Sequence, residues 1–263
     1  MQWLEIIQEL TALAVKAAIE IRRTSQTDGV RSKPDGSPVT SADLKAERLI
    51  RVGLASIAPS YPVVSEEQIS KPEALHAEHY FLVDPLDGTR EFLDGRDEYA
   101  VNIALMNNGQ PMVGVMVAPA QGLIWRGVVG AHAERLQFTP DGTLSRAQRI
   151  MTRPTPETQP IVLVSRSHLE AKTKEYLTTF AEPKIVPCGS SIKFSRIAEG
   201  AADVYARLGP THDWDIAAGH AILRAAGGDV LRPDGEPVVY GTDRLIVPCF
   251  IAWGTRERLP SPR

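Results

Sequence analysis

The sequence lacks long hydrophobic runs: no apolar stretch approaches the roughly 18 residues that a transmembrane helix needs. The first ten residues, MQWLEIIQEL, place glutamates within the apolar pattern and have no basic start, which is unlike a signal peptide. We therefore expect no transmembrane segment and a cytoplasmic location.

Cysteine is also scarce. Cys188 and Cys249 are the only two, and neither belongs to a C-x-x-C motif. They are expected to be reduced core residues rather than a disulfide or part of a zinc site.

An excess of positive charge is missing as well, since 29 basic residues face 32 acidic ones. A net charge of −3 argues against general binding of a nucleic acid polymer. The composition, 43% hydrophobic over 263 residues, is typical of a soluble globular protein with one large domain or two packed subdomains.

Apolar residues recur at helical spacing from Trp3 to Ile21 and predict a long first helix. The segment QTDGVRSKPDGSP (26–38) contains two Asp-Gly pairs and two prolines, so we expect an exposed, mobile loop. A second helix should begin near TSADLKAERLI. Four strands are predicted next, with NNGQ as the turn between the second and third: YFLVD, YAVNIALM, MVGVMVAP and LIWRGVV.

The Thr/Pro-rich segment MTRPTPETQP (151–160) is the best internal boundary. After it, strands (IVLVS, near Ile185, ADVY and LIVPCFIAW) alternate with helices (170–180, from GSSIKF, and WDIAAGHAILRAAGG). The predicted fold class is therefore α/β with an α+β N-terminal half. We expect an N-terminal subdomain at 1–150 with most metal ligands, and a C-terminal subdomain at 151–263 that binds substrate.

The stretch VDPLDGTREF places Asp84 and Asp87 close together at the end of an apolar run. Two carboxylates about 4 Å apart repel by roughly 4 kcal/mol at an effective dielectric of about 20, so a cation is expected between them. With the Leu86 carbonyl they offer the hard oxygen ligands that suit Mg²⁺ or Mn²⁺. If TREFL opens a helix, the amides of Gly88 and Thr89 would face an anion. The plainer alternative is that Asp84 is an ordinary turn residue.

Phosphatases that form an aspartyl-phosphate carry a D-x-D-G-T motif near the chain start. Here the spacing is D-x-x-D-G-T, and the motif follows two predicted helices. The extra residue rotates the second carboxylate away from its acid/base position, which excludes that class.

Four further acidic residues and one lysine each have a functional and a plainer interpretation. Glu66 and Glu67 follow an apolar pair in VVSEEQ and could be surface acids. Asp43 fits a capping box with Thr40, and Asp215 could be the N-cap of its helix. Lys193 lies in a first helical turn, where the helix dipole disfavours a cation. It would be either an exposed lysine or the partner of a bound anion.

Three motifs together, VSEE, VDPLDGTREF and WDIAAGHAILRAAGG, resemble the lithium-sensitive, Mg²⁺-dependent phosphatases of the inositol monophosphatase superfamily. The resemblance implies a layered αβαβα sandwich, like that of fructose-1,6-bisphosphatase, with the active site between two subdomains. It implies two or three Mg²⁺ ions per site, Mn²⁺ being an alternative. Their ligands would be the carboxylates of Glu66, Asp84, Asp87 and Asp215 and the carbonyl of Leu86. Asp43, Thr89 and Glu66 would be catalytic, and Glu67 would support the ligands from behind.

The segment GSSIKFSRIAEGAADVYARLGPTHDWD further resembles the 3′(2′),5′-bisphosphate nucleotidases of the CysQ type, which act in sulfur assimilation. By this resemblance the enzyme would remove the 3′-phosphate of adenosine 3′,5′-bisphosphate, giving AMP. Inositol monophosphatases have an acid near the position of Arg207, whereas an arginine there predicts a second anionic group on the substrate. The residues implied in substrate binding are Gly88, Thr89, His168, Ser190, Lys193, Arg207 and Asp215.

Two other functions stay open at this point. One is an inositol phosphatase or a fructose-1,6-bisphosphatase-like sugar phosphatase that uses the same metals. The other is a regulator that binds metal or phosphate without catalysis. In each case the partner is a small phosphorylated molecule, and the protein would be a monomer or a homodimer. The role of Asp213, next to the metal motif, is not predicted.

Overall fold

The structure is a computed structural model that describes residues 2–68, 72–167 and 169–255. The six α-helices of this part are α1 (Gln2–Arg23), α2 (Ser41–Ile57), α3 (Thr89–Leu93), α4 (Ala171–Leu177), α5 (Ile192–Ala198) and α6 (Asp213–Ala225). The first nine strands are β1 (Arg31–Ser32), β2 (Pro38–Val39), β3 (Val63–Ser65), β4 (His79–Asp87), β5 (Ala100–Asn107), β6 (Gln110–Ala118), β7 (Leu123–Val128), β8 (His132–Gln137) and β9 (Gln148–Ile150). The remaining strands are β10 (Ile161–Ser165), β11 (Lys184–Cys188), β12 (Val204–Arg207), β13 (Thr211–His212), β14 (Asp229–Leu231), β15 (Ile246–Val247) and β16 (Phe250–Trp253).

Strands β3 to β9 form one seven-stranded sheet in sequence order, antiparallel except for the parallel pair β3–β4. The hairpin between β5 and β6 turns at Asn108 and Gly109, both with positive φ, as the NNGQ motif predicts. The strands are buried on both faces, which explains why they are continuous apolar runs in the sequence.

A second sheet has the order β11-β10-β12-β16-β14, with β10 parallel to both β11 and β12. It begins at Ile161, after the Thr/Pro-rich segment, whereas the large sheet ends at Ile150. The division of the chain into subdomains at residue 150 stays a prediction.

The helices and the two sheets stack into five layers. Side chains alternate along β4: Phe81 and Val83 face α1 and α2, whereas Tyr80 and Leu82 face α5 and α6. Helices α5 and α6 therefore lie between the two sheets, and α4 covers the outer face of the smaller sheet. This arrangement confirms the predicted α/β class and the αβαβα sandwich.

The structure corrects two sequence-based predictions. The segment 26–38 is not a loop throughout, because β1 and β2 pair as a short antiparallel hairpin within it and reach Val39. The predicted last strand LIVPCFIAW is two strands: β15 pairs with β13, and β16 belongs to the second sheet. Pro248 lies between them and has no amide to donate to a ladder, which explains the break.

Two predictions about absences can be compared with the described residues. Cys188 and Cys249 are both free thiols. Within residues 2–68, 72–167 and 169–255, no helix combines the length and hydropathy required to span a bilayer.

Candidate active site

A cleft of about 320 Å³ lies where the end of β4 meets β12, α5 and the start of α6. That volume is within the range of small-molecule sites. Its lining includes most residues that the sequence predicted for the site: Glu66, Asp84, Leu86, Asp87, Gly88, Thr89, Ser190, Lys193, Arg207 and Asp215. His168 lies outside the described residues.

The two aspartates of the DPLDGT motif are placed by an irregularity at the end of β4. Asp84 pairs with Asn102 and Asp87 pairs with Ala100, so the intervening Pro85 and Leu86 bulge from the ladder. Asp84 is only 1% exposed, and one of its oxygens accepts a hydrogen bond of 3.0 Å from the amide of Leu86. The bulge thus directs both aspartates to the cleft.

Gly88 allows the chain to turn sharply after this strand. Its φ is +93°, and a Cβ at this position would lie 3.1 Å from the Glu98 carbonyl oxygen and 3.3 Å from the Ser190 Cβ. Glycine is therefore required both for the conformation and for the close approach. Helix α3 begins at the next residue, Thr89, as the sequence predicts.

Thr89 and Asp43 form a hydrogen-bonded pair across 46 residues of sequence. The Thr89 hydroxyl lies 3.0 Å from Asp43 Oδ1 and 3.1 Å from the Leu86 carbonyl oxygen. Asp43 Oδ2 accepts from the amide and the hydroxyl of Thr40, at 2.8 and 2.6 Å. The capping box of Asp43 is thus confirmed and uses Oδ2, whereas Oδ1 contacts Thr89; the catalytic role of Asp43 stays a prediction.

Glu66 and Glu67 follow β3, which places Glu66 beside the end of β4. Neither is a free surface acid, because Lys33 Nζ lies 2.7 Å from a carboxylate oxygen of each. Lys33 belongs to the turn between β1 and β2, so the hairpin contacts the acidic end of the cleft.

Asp215 occupies the third position of α6, not the N-cap, which is His212. Its Oδ2 accepts from the hydroxyl of Thr211 and, at 3.0 Å, from the amide of His212. The N-cap alternative for Asp215 is therefore wrong. The helix start leaves Asp215 in the cleft wall, opposite the aspartates of β4.

Asp213 is fully buried and is not among the residues that line the cleft. Its Oδ2 accepts from the Gly241 amide at 2.7 Å, and burial together with the nearby Asp215 raises its pKa to about 6. It ties the start of α6 to the 240–241 segment, which the sequence did not indicate.

The acids of the cleft strongly perturb one another. Burial, then repulsion from Asp215 and Glu67, raises the pKa of Glu66 to about 7 against the opposing effect of Lys33. Burial and Asp215 raise the pKa of Asp87 to about 6. The pKa of Asp84 is raised well above its ordinary value by burial and by the charges of Glu66, Asp87 and Asp215.

This donor set fits a hard divalent cation. The groups are carboxylate and carbonyl oxygens, and their mutual repulsion is the field that a cation would relieve. Among the described residues, no three acidic, histidine or cysteine side chains are drawn together as a closed metal cluster.

Two basic side chains, Lys193 and Arg207, also line the cleft. Lys193 is only 3% exposed; its Nζ donates to the carbonyls of Cys188 (3.1 Å) and Ser190 and lies 4.8 Å from the centre of the Tyr205 ring. The alternative of an exposed lysine is therefore wrong. Ser190, with φ of +48°, and Ser191 form the turn before α5.

Arg207 ends β12 and has a donor without an acceptor. Its Nη2 donates to the Pro210 carbonyl at 2.9 Å, but its buried Nε has no hydrogen-bond partner among the residues the structure describes. A buried, unsatisfied guanidinium nitrogen beside a cleft is a candidate contact for an anionic ligand.

Sequence reasoning missed Lys33 and Glu91. Lys33 lies in K-P-D-G, which was interpreted only as a turn, and Glu91 lines the cleft and accepts from Ser167 at 2.8 Å. The excess of acidic residues at the predicted site indicated that a basic side chain of the protein should lie nearby.

Comparison with known proteins agrees with the fold. The model of the Inositol monophosphatase family matches residues 2–259. This chain belongs to that family. It is thus a phosphatase by family, and members of the family are generally metal-dependent.

Relatives of known name are similar over nearly the whole chain. The 3′(2′),5′-bisphosphate nucleotidase CysQ of Shigella flexneri is 41% identical over 239 residues, which covers 90% of this chain and 93% of that protein. CysQ of Escherichia coli (strain K12) is 40% identical with the same coverage. The crystal structure of CysQ from Bacteroides thetaiotaomicron has a TM-score of 0.79 and 32% identity, and the match covers 97% and 98% of the two chains.

Proposed function

We propose that this chain hydrolyses the 3′-phosphate of adenosine 3′,5′-bisphosphate to AMP and phosphate, as a Mg²⁺-dependent, lithium-sensitive enzyme of sulfur assimilation in the cytoplasm. The names of its relatives at about 40% identity support the substrate class. The distribution of charge in the cleft supports it independently.

The observation on which the substrate proposal depends is Arg207. Arg207, with its unsatisfied Nε, lines the same cleft as Lys193 and the carboxylates. A substrate with one phosphate held at the carboxylates through bound metal and a second held by Lys193 and Arg207 would complement both sets of charges. A sugar monophosphate would leave the buried Nε of Arg207 without an acceptor, which costs binding free energy.

The proposed metal ligands are the carboxylates of Glu66, Asp84, Asp87 and Asp215 and the carbonyl of Leu86. Mg²⁺ bound there would neutralise these acids and polarise the phosphoryl group. Glu67 would help to position Glu66 indirectly, because both glutamates form an ion pair with Lys33.

The chain's own residues would handle the proton of the attacking water. When Thr89 donates its hydroxyl hydrogen to Asp43 Oδ1, the lone pairs of its oxygen are free to accept from a water in the cleft. The two hydrogen bonds from Thr40 hold Asp43 Oδ2, so Oδ1, which accepts from Thr89, keeps a fixed direction. This relay would orient the water for in-line attack on phosphorus.

A phosphate-release assay tests the proposal. The purified protein is given adenosine 3′,5′-bisphosphate, its 5′-phosphosulfate analogue, inositol 1-phosphate or fructose 1,6-bisphosphate, each with Mg²⁺, with EDTA and with added Li⁺. We expect the bisphosphate nucleotide to have the highest kcat/KM, with no turnover in EDTA and inhibition by Li⁺.

Two controls separate the alternatives. Equal or faster turnover of inositol 1-phosphate would refute the nucleotidase proposal and favour a sugar phosphatase. Absence of turnover on every substrate would favour a regulator that binds without catalysis. Asp87→Asn should abolish turnover, whereas Asp97→Asn, at an exposed loop position, should not.

A further inference from the structure

The turn that precedes α5 is hydrogen-bonded to two residues that do not line the cleft and have no part in the proposed chemistry. This turn, Pro187–Ser191, comprises the last two residues of β11 and the three residues before α5, among them Ser190. Arg166, just after β10, forms a two-bonded ion pair with Glu98, which lies in the loop before β5. The two Arg166–Glu98 distances, from Nε to Oε2 and from Nη2 to Oε1, are both 2.8 Å.

Each partner of this ion pair also binds the turn directly. Arg166 Nη2 donates to the Pro187 carbonyl at 3.1 Å, and Glu98 Oε2 accepts from the Gly189 amide at 2.9 Å. A Cβ on Gly189 would lie 2.9 Å from the Cβ and the carbonyl oxygen of Glu98, so the turn packs directly on the Glu98 backbone. One ion pair therefore fixes two successive parts of the turn to the N-terminal half of the chain.

This turn also sets the position of Lys193. The Lys193 ammonium donates to the Cys188 and Ser190 carbonyls, both within the turn. Any shift of the turn moves these two acceptors and with them the Lys193 ammonium, whose side chain lines the cleft. Arg166 and Glu98 do not line the cleft themselves.

We propose that Glu98 and Arg166 are positioning residues whose ion pair fixes the Pro187–Ser191 turn and thereby places Lys193 for the second anion of the substrate. The inference rests on the proposed function for the identity of that anion. The fixing of the turn itself does not depend on the substrate.

The first measurement is hydrogen–deuterium exchange over residues 187–193 in the full-length protein. Arg166→Met and Glu98→Ala should speed exchange at the Gly189 amide. Arg153→Met is the matched control, because Arg153 makes a similar two-bonded pair with Asp203 at 2.8 and 2.9 Å, is about as exposed as Arg166, and lies outside the cleft.

The second measurement is steady-state kinetics with adenosine 3′,5′-bisphosphate and with 3′-AMP, which lacks the second phosphate. Arg166→Met and Glu98→Ala should raise KM for the bisphosphate roughly tenfold, with kcat within about twofold and KM for 3′-AMP unchanged. Glu98→Gln should have a smaller effect than Glu98→Ala, because its amide oxygen can still accept from Gly189. The double variant should be no worse than Glu98→Ala, because the two residues act as one unit.

Three results would overturn the inference: unchanged exchange in Arg166→Met, equal effects of Arg166→Met and Arg153→Met, or equal losses of kcat with both substrates. Failure of the proposed function is seen separately, as absence of bisphosphate turnover by the unmodified protein. In that event the exchange comparison with Arg153→Met still decides whether the ion pair fixes the turn.

Discussion

The ammonium of Lys33 lies 2.7 Å from a carboxylate oxygen of Glu66, so a cation of the chain contacts an acid that we assign to the metal. Burial alone would lower the pKa of Lys33, but Glu66 and Glu67 outweigh it and raise that pKa above its ordinary value. Lys33 therefore stays charged and offsets part of the repulsion among the acids of the cleft.

Lys33→Met should strengthen binding of divalent cations, since Lys33 and the metal compete for Glu66. The pair is partly exposed, so we expect a gain of up to about fivefold in affinity, corresponding to about 1 kcal/mol. Titration calorimetry with Mg²⁺ or Mn²⁺ measures it. Lys45→Met is the control, because Lys45 lies 4.0 Å from its acidic neighbours Glu20 and Asp28. Weaker binding in Lys33→Met would show that Lys33 supports the metal site instead.

The raised pKa values of Glu66 and Asp87 predict how the stability of the metal-free protein depends on pH. These groups bind protons more tightly in the folded state, at about 7 and 6, than in the unfolded chain, at roughly 4. Their contribution is thus fully present below about pH 4 and is lost as pH rises through 6 to 7. Denaturant unfolding in EDTA should show Glu66→Gln/Asp87→Asn gaining stability over the unmodified protein from pH 5 to pH 8.

The difference between variant and unmodified protein is the informative quantity, because other groups titrate in the same range. The pKa of His220, for example, is lowered by burial, so its contribution to stability has the opposite sign as pH rises. A constant difference across this range would contradict the assigned pKa shifts. Saturating Mg²⁺ should reverse the ranking, because the ion needs the ionised carboxylates.

The layers of the fold were predictable because local patterns and packing agree. The strand YFLVD alternates between two helical layers, and each of its faces is apolar. The hairpin within segment 26–38 was not predictable. Its two strands are two residues long and lie among Asp-Gly and proline turns, so they show no alternation of apolar and polar residues. Pro248 marks the break within LIVPCFIAW. The sequence does not show that the two halves join different sheets, so the break was not predicted.

The candidate site shows the same division. The family resemblance of the three motifs was enough to predict that Asp84, Asp87 and Asp215 line one cleft. The environment of Lys193 was not predictable, because its partners are backbone carbonyls whose direction depends on the Ser190 conformation. Long-range pairs between side chains, such as Arg166 with Glu98, have no signature in a single sequence.

Thr89→Val removes the hydroxyl with little change in volume and should lower kcat by roughly 100-fold or more, with a small effect on KM. Thr89→Ser keeps the donor to Asp43 and should retain most activity. Asp43→Asn should resemble Thr89→Val in kcat, and the double variant should be no worse than either, because the pair acts as one unit. Additive losses in the double variant would contradict the relay.

Arg207→Met tests whether Arg207 binds the second phosphate of the substrate, while it keeps most of the side-chain stem. If Arg207 binds the 5′-phosphate, KM for adenosine 3′,5′-bisphosphate should rise roughly tenfold or more, while KM and kcat for 3′-AMP change little. The variant also removes a buried unsatisfied nitrogen, so thermal stability without ligand should not fall by more than the lost Pro210 bond, about 1 kcal/mol. Equal losses with both substrates, or a large fall in stability, would assign Arg207 to the structure of β12 rather than to substrate recognition.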